Sequence, residues 1–363
     1  MKGGDMTYST KDIPAEGLSA CWKSPSNIAL IKYWGKLGGQ LPANASLSIT
    51  LSNAYTVTRV AASRPDTPGS GPEAEFRFEG ELNLPFSSRI NTFLKSVASH
   101  FQYLPDVKLS IESGNSFPHS AGIASSASGM SALALCLCAL EAQFQGKEAG
   151  APGFYEKASS IARLGSGSAC RSVYGGITVW GRHHDVPGSS DDYAVPLHFD
   201  PHPLFSGLRD AILIVDPGEK KVSSSVGHGL MNGHPFAESR FAQAGKNLSG
   251  LLAALKSGDW KEFARIVENE ALSLHAMMLA SDPWFILMHP NSLLIINKIE
   301  EFRKQTEAKV CFTLDAGPNI HLLYPEEETE RVATLIKSLK SYCFNDKVIE
   351  DLVGEGPKQL TCR

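Results

Sequence analysis

The sequence predicts an α+β protein built as two domains, and three observations carry that expectation. Segments with the two-residue period of strands intermix with segments of helical period, without the regular β-α-β alternation of a doubly wound sheet. The chain has 363 residues, enough for two domains or one large one. A polar stretch at 182–203, rich in Asp, His and Pro, interrupts the pattern and puts a boundary near residue 205. The expected domains are therefore 1–205 and 206–363.

In the first half, residues 27–34 read as a buried strand. Residues 45–52 alternate strictly: Leu47, Ile49 and Leu51 fall between Ser46, Ser48, Thr50 and Ser52, giving a strand with one apolar and one hydroxyl-bearing face. Strand pattern continues at 55–62 and 74–82, around a loop at 63–72. Helical spacing at 89–101 leads to a strand at 106–113. The stretch 118–129, Pro-His-Ser-Ala-Gly-Ile-Ala-Ser-Ser-Ala-Ser-Gly, is a loop of small residues that runs into an apolar helix at 130–140. A helix at 154–164 stops at Gly165-Ser166-Gly167-Ser168, and a strand follows at 174–181.

The second half opens with a buried strand at 211–216. Asp259 and Glu262 form a capping box before a helix whose Trp260, Phe263, Val267, Leu274 and Met278 share one face. His275, close to that face, reads as a core histidine. A helix at 291–304 is followed by a strand at 310–314, which ends in Asp315-Ala316-Gly317-Pro318-Asn319. Residues 320–324 resume the strand, and a helix at 328–342 closes the domain.

Composition narrows the classes. A net charge of −4 gives no reason to expect a nucleic-acid partner. Seven cysteines at 21, 136, 138, 170, 311, 343 and 362, with no Cys-x-x-Cys, suit reduced thiols in a cytoplasmic protein. The first 17 residues are polar and lack a signal-peptide core. No apolar run is expected to approach the ~18–20 residues that span a membrane. The histidines have no metal-ligand spacing, so no zinc site is expected.

Five constellations could carry chemistry. Small side chains at Ser120, Gly122, Ala124, Ser125, Ser126 and Ser128 let backbone N–H groups and hydroxyls approach phosphate oxygens or a Mg²⁺ ion. The alternative is a helix start that packs closely on a neighbour; neither a Walker A loop nor a dinucleotide fingerprint is present. In Asn27-Ile28-Ala29-Leu30-Ile31-Lys32-Tyr33-Trp34-Gly35-Lys36, strand geometry puts Lys32, Trp34 and Lys36 on one side, where a lysine either snorkels from a strand end or, if buried, calls for an anion or carboxylate. Gly165-Ser166-Gly167-Ser168-Ala169-Cys170-Arg171-Ser172 presents an arginine suited to two-pronged recognition of an oxyanion. Asp315 heads a Gly-Pro turn, either as a turn former or as a carboxylate that orients a hydroxyl. Lys220-Lys221-Val222-Ser223-Ser224-Ser225 would also suit a phosphate group.

Taken in order from about residue 22 to beyond 340, these segments resemble the mevalonate diphosphate decarboxylase family of the galactokinase, homoserine kinase, mevalonate kinase and phosphomevalonate kinase (GHMP) superfamily. Asn-Ile-Ala-x-Ile-Lys-Tyr-Trp-Gly-Lys, Gly-Ser-Gly-Ser-Ala-Cys-Arg-Ser and Asp-Ala-Gly-Pro-Asn carry the resemblance to that branch; the phosphate loop identifies only the superfamily. The resemblance implies a ribosomal-protein-like N-terminal domain that binds nucleotide and a ferredoxin-like C-terminal domain that carries the catalytic aspartate, with the active site in the cleft between them. It implies ATP- and Mg²⁺-dependent decarboxylation of (R)-5-diphosphomevalonate to isopentenyl diphosphate, ADP, phosphate and CO₂, by a homodimer.

By the same resemblance Asp315, Arg171, Lys32 and Asn27 are catalytic. Ser125 and Ser126 lie at the nucleotide phosphates and their metal. Tyr33, Lys36, Arg89, Ser166, Gly167, Ser168, Ser223, Ser224 and Ser225 contact substrate. Two departures stand out: residues 37–44 lack the acidic residues expected after Lys36, and a histidine replaces methionine at position 228. They leave open a phosphomevalonate decarboxylase acting on the 5-monophosphate. A mevalonate-type kinase that stops at phosphorylation and a non-catalytic module on the same fold are the two rival readings.

Overall fold

The structure, a computed structural model, describes residues 17–65, 72–117, 123–218 and 224–362. The N-terminal half supplies β1 (Leu18–Ile31), β2 (Ser46–Ser63), β3 (Glu73–Phe78), β4 (Glu81–Leu82), α1 (Leu84–Val97), β5 (Lys108–Asn115), α2 (Ser125–Phe144), α3 (Phe154–Gly165), β6 (Ile177–Trp180) and β7 (Ala194–Pro196). The remainder contributes α4 (Pro203–Ser206), β8 (Arg209–Leu213), α5 (Ser224–Gly229), α6 (Ala237–Ser257), α7 (Trp260–Leu279), α8 (Pro290–Thr306), β9 (Cys311–Thr313), β10 (Ile320–Tyr324), α9 (Thr329–Leu339), β11 (Val348–Leu352) and β12 (Lys358–Leu360).

Eight of these strands form one sheet, ordered β12-β1-β2-β5-β3-β4, with β6 and then β7 beside the first half of β2. Pairing is antiparallel except between β3 and β5. A second, antiparallel sheet runs β11-β8-β10-β9. The architecture is α+β in two layered units.

The two strands expected at 45–52 and 55–62 are one continuous β2. The register against β1 shifts between Pro25 and Asn27. At that point the carboxylate of Asp351 accepts the backbone N–H groups of Ser52, Asn53 and Ala54 at 2.8, 2.9 and 2.7 Å. A side chain from the far end of the chain thus supplies partners that the bulged ladder lacks. Beyond it, Gly354 N–H donates to Thr50 O and β12 pairs with β1, so the C-terminal tail returns across the boundary expected near 205. The hairpin β3–β4 replaces a single strand at 74–82, because Glu79 and Gly80 turn with positive φ. Helix α1 begins five residues before the expected 89: Asn83 caps it by accepting the Phe86 N–H, and Pro85 stands in its first turn.

Helix α2 spans 20 residues and is long and apolar enough to cross a bilayer, contrary to the expectation that no such run exists. It is instead a core helix, with Leu133, Leu135, Leu137 and Leu140 buried among β1, β2 and α3. Leu47, Ile49 and Leu51 of β2 face the other way, onto Leu248, Leu251, Phe263 and Val267 of α6 and α7. That cluster joins the two halves and holds their sheets in fixed relation around a cleft.

Candidate active site

Strand β1 stops at Ile31, so Lys32, Trp34 and Lys36 do not share a strand face as the alternation predicts. Side chains have taken over the backbone there: Lys32 N–H donates to Glu270 Oε2 of α7 (2.9 Å), and Asn44 Nδ2 donates to Lys32 O (2.9 Å). Glu270 is itself buried, in a two-pronged pair with Arg240 of α6 (2.6 and 3.1 Å). Freed from the ladder, the chain turns so that Lys32, Tyr33, Trp34 and Lys36 all reach one cavity. Gly35 has φ near +104° at the turn, and a Cβ there would strike Phe241.

The hydroxyl face of β2 has a purpose that alternation alone does not reveal. Both faces of the strand are buried, and the hydroxyls hold a guanidinium. Arg171, 2% exposed, donates from Nη1 to Ser46 Oγ (2.7 Å), from Nε to Ser48 Oγ (3.0 Å) and from Nη2 to Asn27 Oδ1 (3.2 Å). Asn27 is fixed in turn by donating to Ser172 Oγ and Ser168 O. Asn27 therefore orients Arg171. Burial lowers the Arg171 pKa, yet the fork keeps one edge toward the cavity that it lines.

Asp315 follows β9 in a tight turn. Its carbonyl accepts the Gly317 N–H (2.7 Å) and lies 3.1 Å from His275 Nε2. Burial pushes the His275 pKa down to about 4, so the ring is neutral and Nε2–H is the donor. His275 is a satisfied core histidine, as expected, and it also braces Asp315. The Asp315 carboxylate is 29% exposed and reaches Lys32 Nζ at 3.0 Å, while Nζ donates a second bond to Ala29 O. Burial pulls the Lys32 pKa down; the nearby Asp315 carboxylate opposes the shift.

These groups line a cavity of about 240 Å³. It brings together Lys32, Tyr33, Lys36, Arg89, Ala124, Ser126, Ser166, Gly167, Ser168, Arg171, Ser225 and Asp315. Gly167 is needed for closeness, since a Cβ would lie 2.9 Å from Tyr33 and Trp180. A second, largely apolar cavity of about 300 Å³ adjoins it, shares Arg89, Ser126 and Gly165, and is lined by Ser125, Phe76, Phe86 and Met130.

Ser128 does not join either cavity. It is buried against Thr56 Oγ1 at 2.6 Å, because on a helix it points to the sheet when Ser125 and Ser126 point out. Ser224 opens α5; Ser120, Gly122 and Ser223, with Lys220 to Val222, lie outside the described residues. Sequence reasoning missed Gln40 and Leu274 in the lining, and the support from Glu270; none stands in a pattern that distinguishes it from core or loop.

The sequence shows no metal-ligand spacing, yet His183, His184 and Asp185 bring ligand atoms within 4.8 Å of one another. Both ring nitrogens of His183 are already engaged, by Gly245 O and by the Asp185 N–H. For magnesium, the hydroxyls of Ser125 and Ser126 at the start of α2 suit an ion carried by nucleotide phosphates.

A small-residue helix N-terminus facing a lysine–aspartate pair, across a cleft between a mixed sheet and an antiparallel one, defines a GHMP-kinase-like protein. Within that class, the chain belongs to the diphosphomevalonate decarboxylase family. Residues 24–194 match the model of the diphosphomevalonate decarboxylase-like N-terminal domain, and 211–360 that of the mevalonate 5-diphosphate decarboxylase C-terminal domain. The chain is 34% identical to the diphosphomevalonate decarboxylase of Eremothecium gossypii, over 87% of this chain and 80% of that one. It is 31% identical to that of Candida albicans, over 94% and 98%. The crystal structure of mevalonate diphosphate decarboxylase from Staphylococcus aureus superposes with a TM-score of 0.80 at 30% identity, covering 94% of this chain and 98% of that one. A solved complex of MDDEF with MVAPP, AMPPCP and magnesium has a TM-score of 0.80 at 30% identity, covering 95% and 99%.

Proposed function

We propose that this chain catalyses the ATP-dependent decarboxylation of (R)-5-diphosphomevalonate to isopentenyl diphosphate, ADP, phosphate and CO₂, in the mevalonate route of isoprenoid synthesis. The observation that carries the reading is the Lys32–Asp315 pair beside a fully braced Arg171 in one cavity. Relatives are named for this reaction, and one is solved with MVAPP, AMPPCP and magnesium.

A tertiary alcohol is a poor leaving group, so it is first converted to a phosphate. Asp315 orients the hydroxyl and takes its proton, while Lys32 pairs with its carboxylate. Arg171 grips the substrate carboxylate and keeps it in line with the breaking C–O bond; the carboxylate then leaves as CO₂, and its bonding electrons complete the alkene. Lys36, Arg89, Tyr33, Ser166 to Ser168 and the serines of 223–225 hold the diphosphate. Ser125 and Ser126, with the first N–H groups of α2, hold the ATP phosphates, and the adjoining apolar cavity takes the base. Magnesium neutralises phosphate charge when bound.

A homodimer fits the exposed Leu272, Leu279, Trp284 and Ile286 of α7 and the loop after it. A cytoplasmic setting fits seven free cysteines, six of them buried. The test is CO₂, ADP and phosphate release from mono- and diphosphorylated mevalonate. Equal yields of all three from the diphosphate are expected; ADP without CO₂, or higher kcat/KM on the monophosphate, overturns the reading.

A further inference from the structure

The departure at position 228 points into the cavity. His228 comes from α5 but packs against the segment after β1: its ring lies 4.3 Å from that of Tyr33 and 4.6 Å from that of Trp34. It is 6% exposed and lines the cavity. Its Nδ1 accepts the Gly35 N–H at 3.0 Å. A backbone N–H can only donate, so Nδ1 carries the lone pair and a neutral ring must carry its proton on Nε2. Nε2 has no hydrogen-bond partner among the described residues. Burial, with the charges of Lys36 and Arg171 nearby, pushes the ring pKa down to about 3 and keeps it neutral at ordinary pH.

A donor on a cavity-lining side chain, with no protein partner, is free to bond a ligand that enters the cavity. The two charges that act on the ring, Lys36 and Arg171, are cationic, so the acceptor that fits is an anion. Lys36, itself partly buried, lines the same cavity and is one of the two cations that lower the ring's pKa.

We propose that His228 is a specificity-determining residue whose Nε2–H donates to the phosphate chain of the substrate, beside Lys36. The inference deepens the reading above by assigning a neutral donor where methionine offers none. It commits the site to recognising a phosphate-rich anion by a directed hydrogen bond as well as by charge.

Two measurements test it. In protein labelled with ¹⁵N-histidine, adding inorganic diphosphate shifts the Nε2–H resonance of His228; no shift at saturating diphosphate overturns the proposal, whatever reaction the enzyme performs. In steady state, His228→Met raises KM for diphosphomevalonate roughly tenfold or more, with a smaller change in kcat and none in KM for ATP. His228→Gln, which keeps a donor, recovers part of the loss. Unchanged KM in the methionine variant, equal KM losses in both variants, or a matching rise in KM for ATP would each overturn it. Failure of wild-type CO₂ release would instead count against the proposed reaction.

Discussion

Lys32 Nζ lies 3.0 Å from Asp315 Oδ1, although 283 positions separate the two residues. The lysine is held by the backbone of β1 and by Glu270; the aspartate is held by a turn that His275 braces. Each side of the pair is therefore positioned by its own scaffold, and the two meet only in the folded cleft.

Asp315→Asn keeps the size of the side chain and removes its charge. Turnover is expected to fall at least about 10³-fold while KM for ATP stays within a factor of a few. Parallel assays of CO₂ release and nucleotide binding check this. Near-normal turnover would remove the carboxylate from the reaction.

Arg171→Lys retains a positive charge but cannot satisfy Asn27, Ser46 and Ser48 together. We expect kcat to fall about 10²-fold, and the stranded hydroxyls and amide to cost about 1–3 kcal/mol of stability. Denaturant unfolding beside initial rates separates the two effects. Full activity would show that a diffuse cation suffices.

Glu270→Ala leaves Arg240 charged and unpartnered where both are essentially inaccessible. Loss of one member of such a pair costs about 3–5 kcal/mol. Urea midpoints with an unchanged m-value should report it. A loss below about 1 kcal/mol would mean that water reaches this pair.

Two serines of α2, Ser126 and Ser128, should behave differently. Ser128→Ala breaks the contact with Thr56 and is expected to destabilise by about 1 kcal/mol without altering KM for ATP. Ser126→Ala leaves stability alone and raises KM for ATP. The reverse pattern would exchange their roles.

Acid should weaken the fold through its buried histidines. The unfolded His275 binds a proton below its ordinary 6.5, whereas the folded residue resists until about 4, so the unfolded state binds more protons in that window. Stability is then fully present above 6.5 and declines as pH falls toward 4. His228 acts in the same direction, down to about 3. His275→Gln should show a shallower decline between pH 6.5 and 4 in unfolding experiments; an identical slope would contradict the assignment.

Much of the site was legible because its chemistry travels in short motifs. Lys32, Arg171 and Asp315 each stand inside a run of residues whose type and order are distinctive, and the cleft brings all three together. Strand β10 matches the expected 320–324, and α3 and α7 nearly match, since capping and spacing are local signals. What was not legible depends on distant partners. The end of β1 at Ile31 requires Glu270, and the continuity of β2 through Asn53 and Ala54 requires Asp351. Helix α6 was not assigned from the sequence, because its first turn has no side-chain cap and Gly245 and Gly250 interrupt its pattern. Ser128 was grouped with its neighbours by composition, and only the helical phase turns it inward.

The most direct measurement is a double-mutant cycle on CO₂ release with Lys32→Met and Asp315→Asn. If the pair acts as one unit on the alcohol, the double variant loses about as much turnover as Asp315→Asn alone. Losses that multiply would show that the two residues act independently and contradict the account.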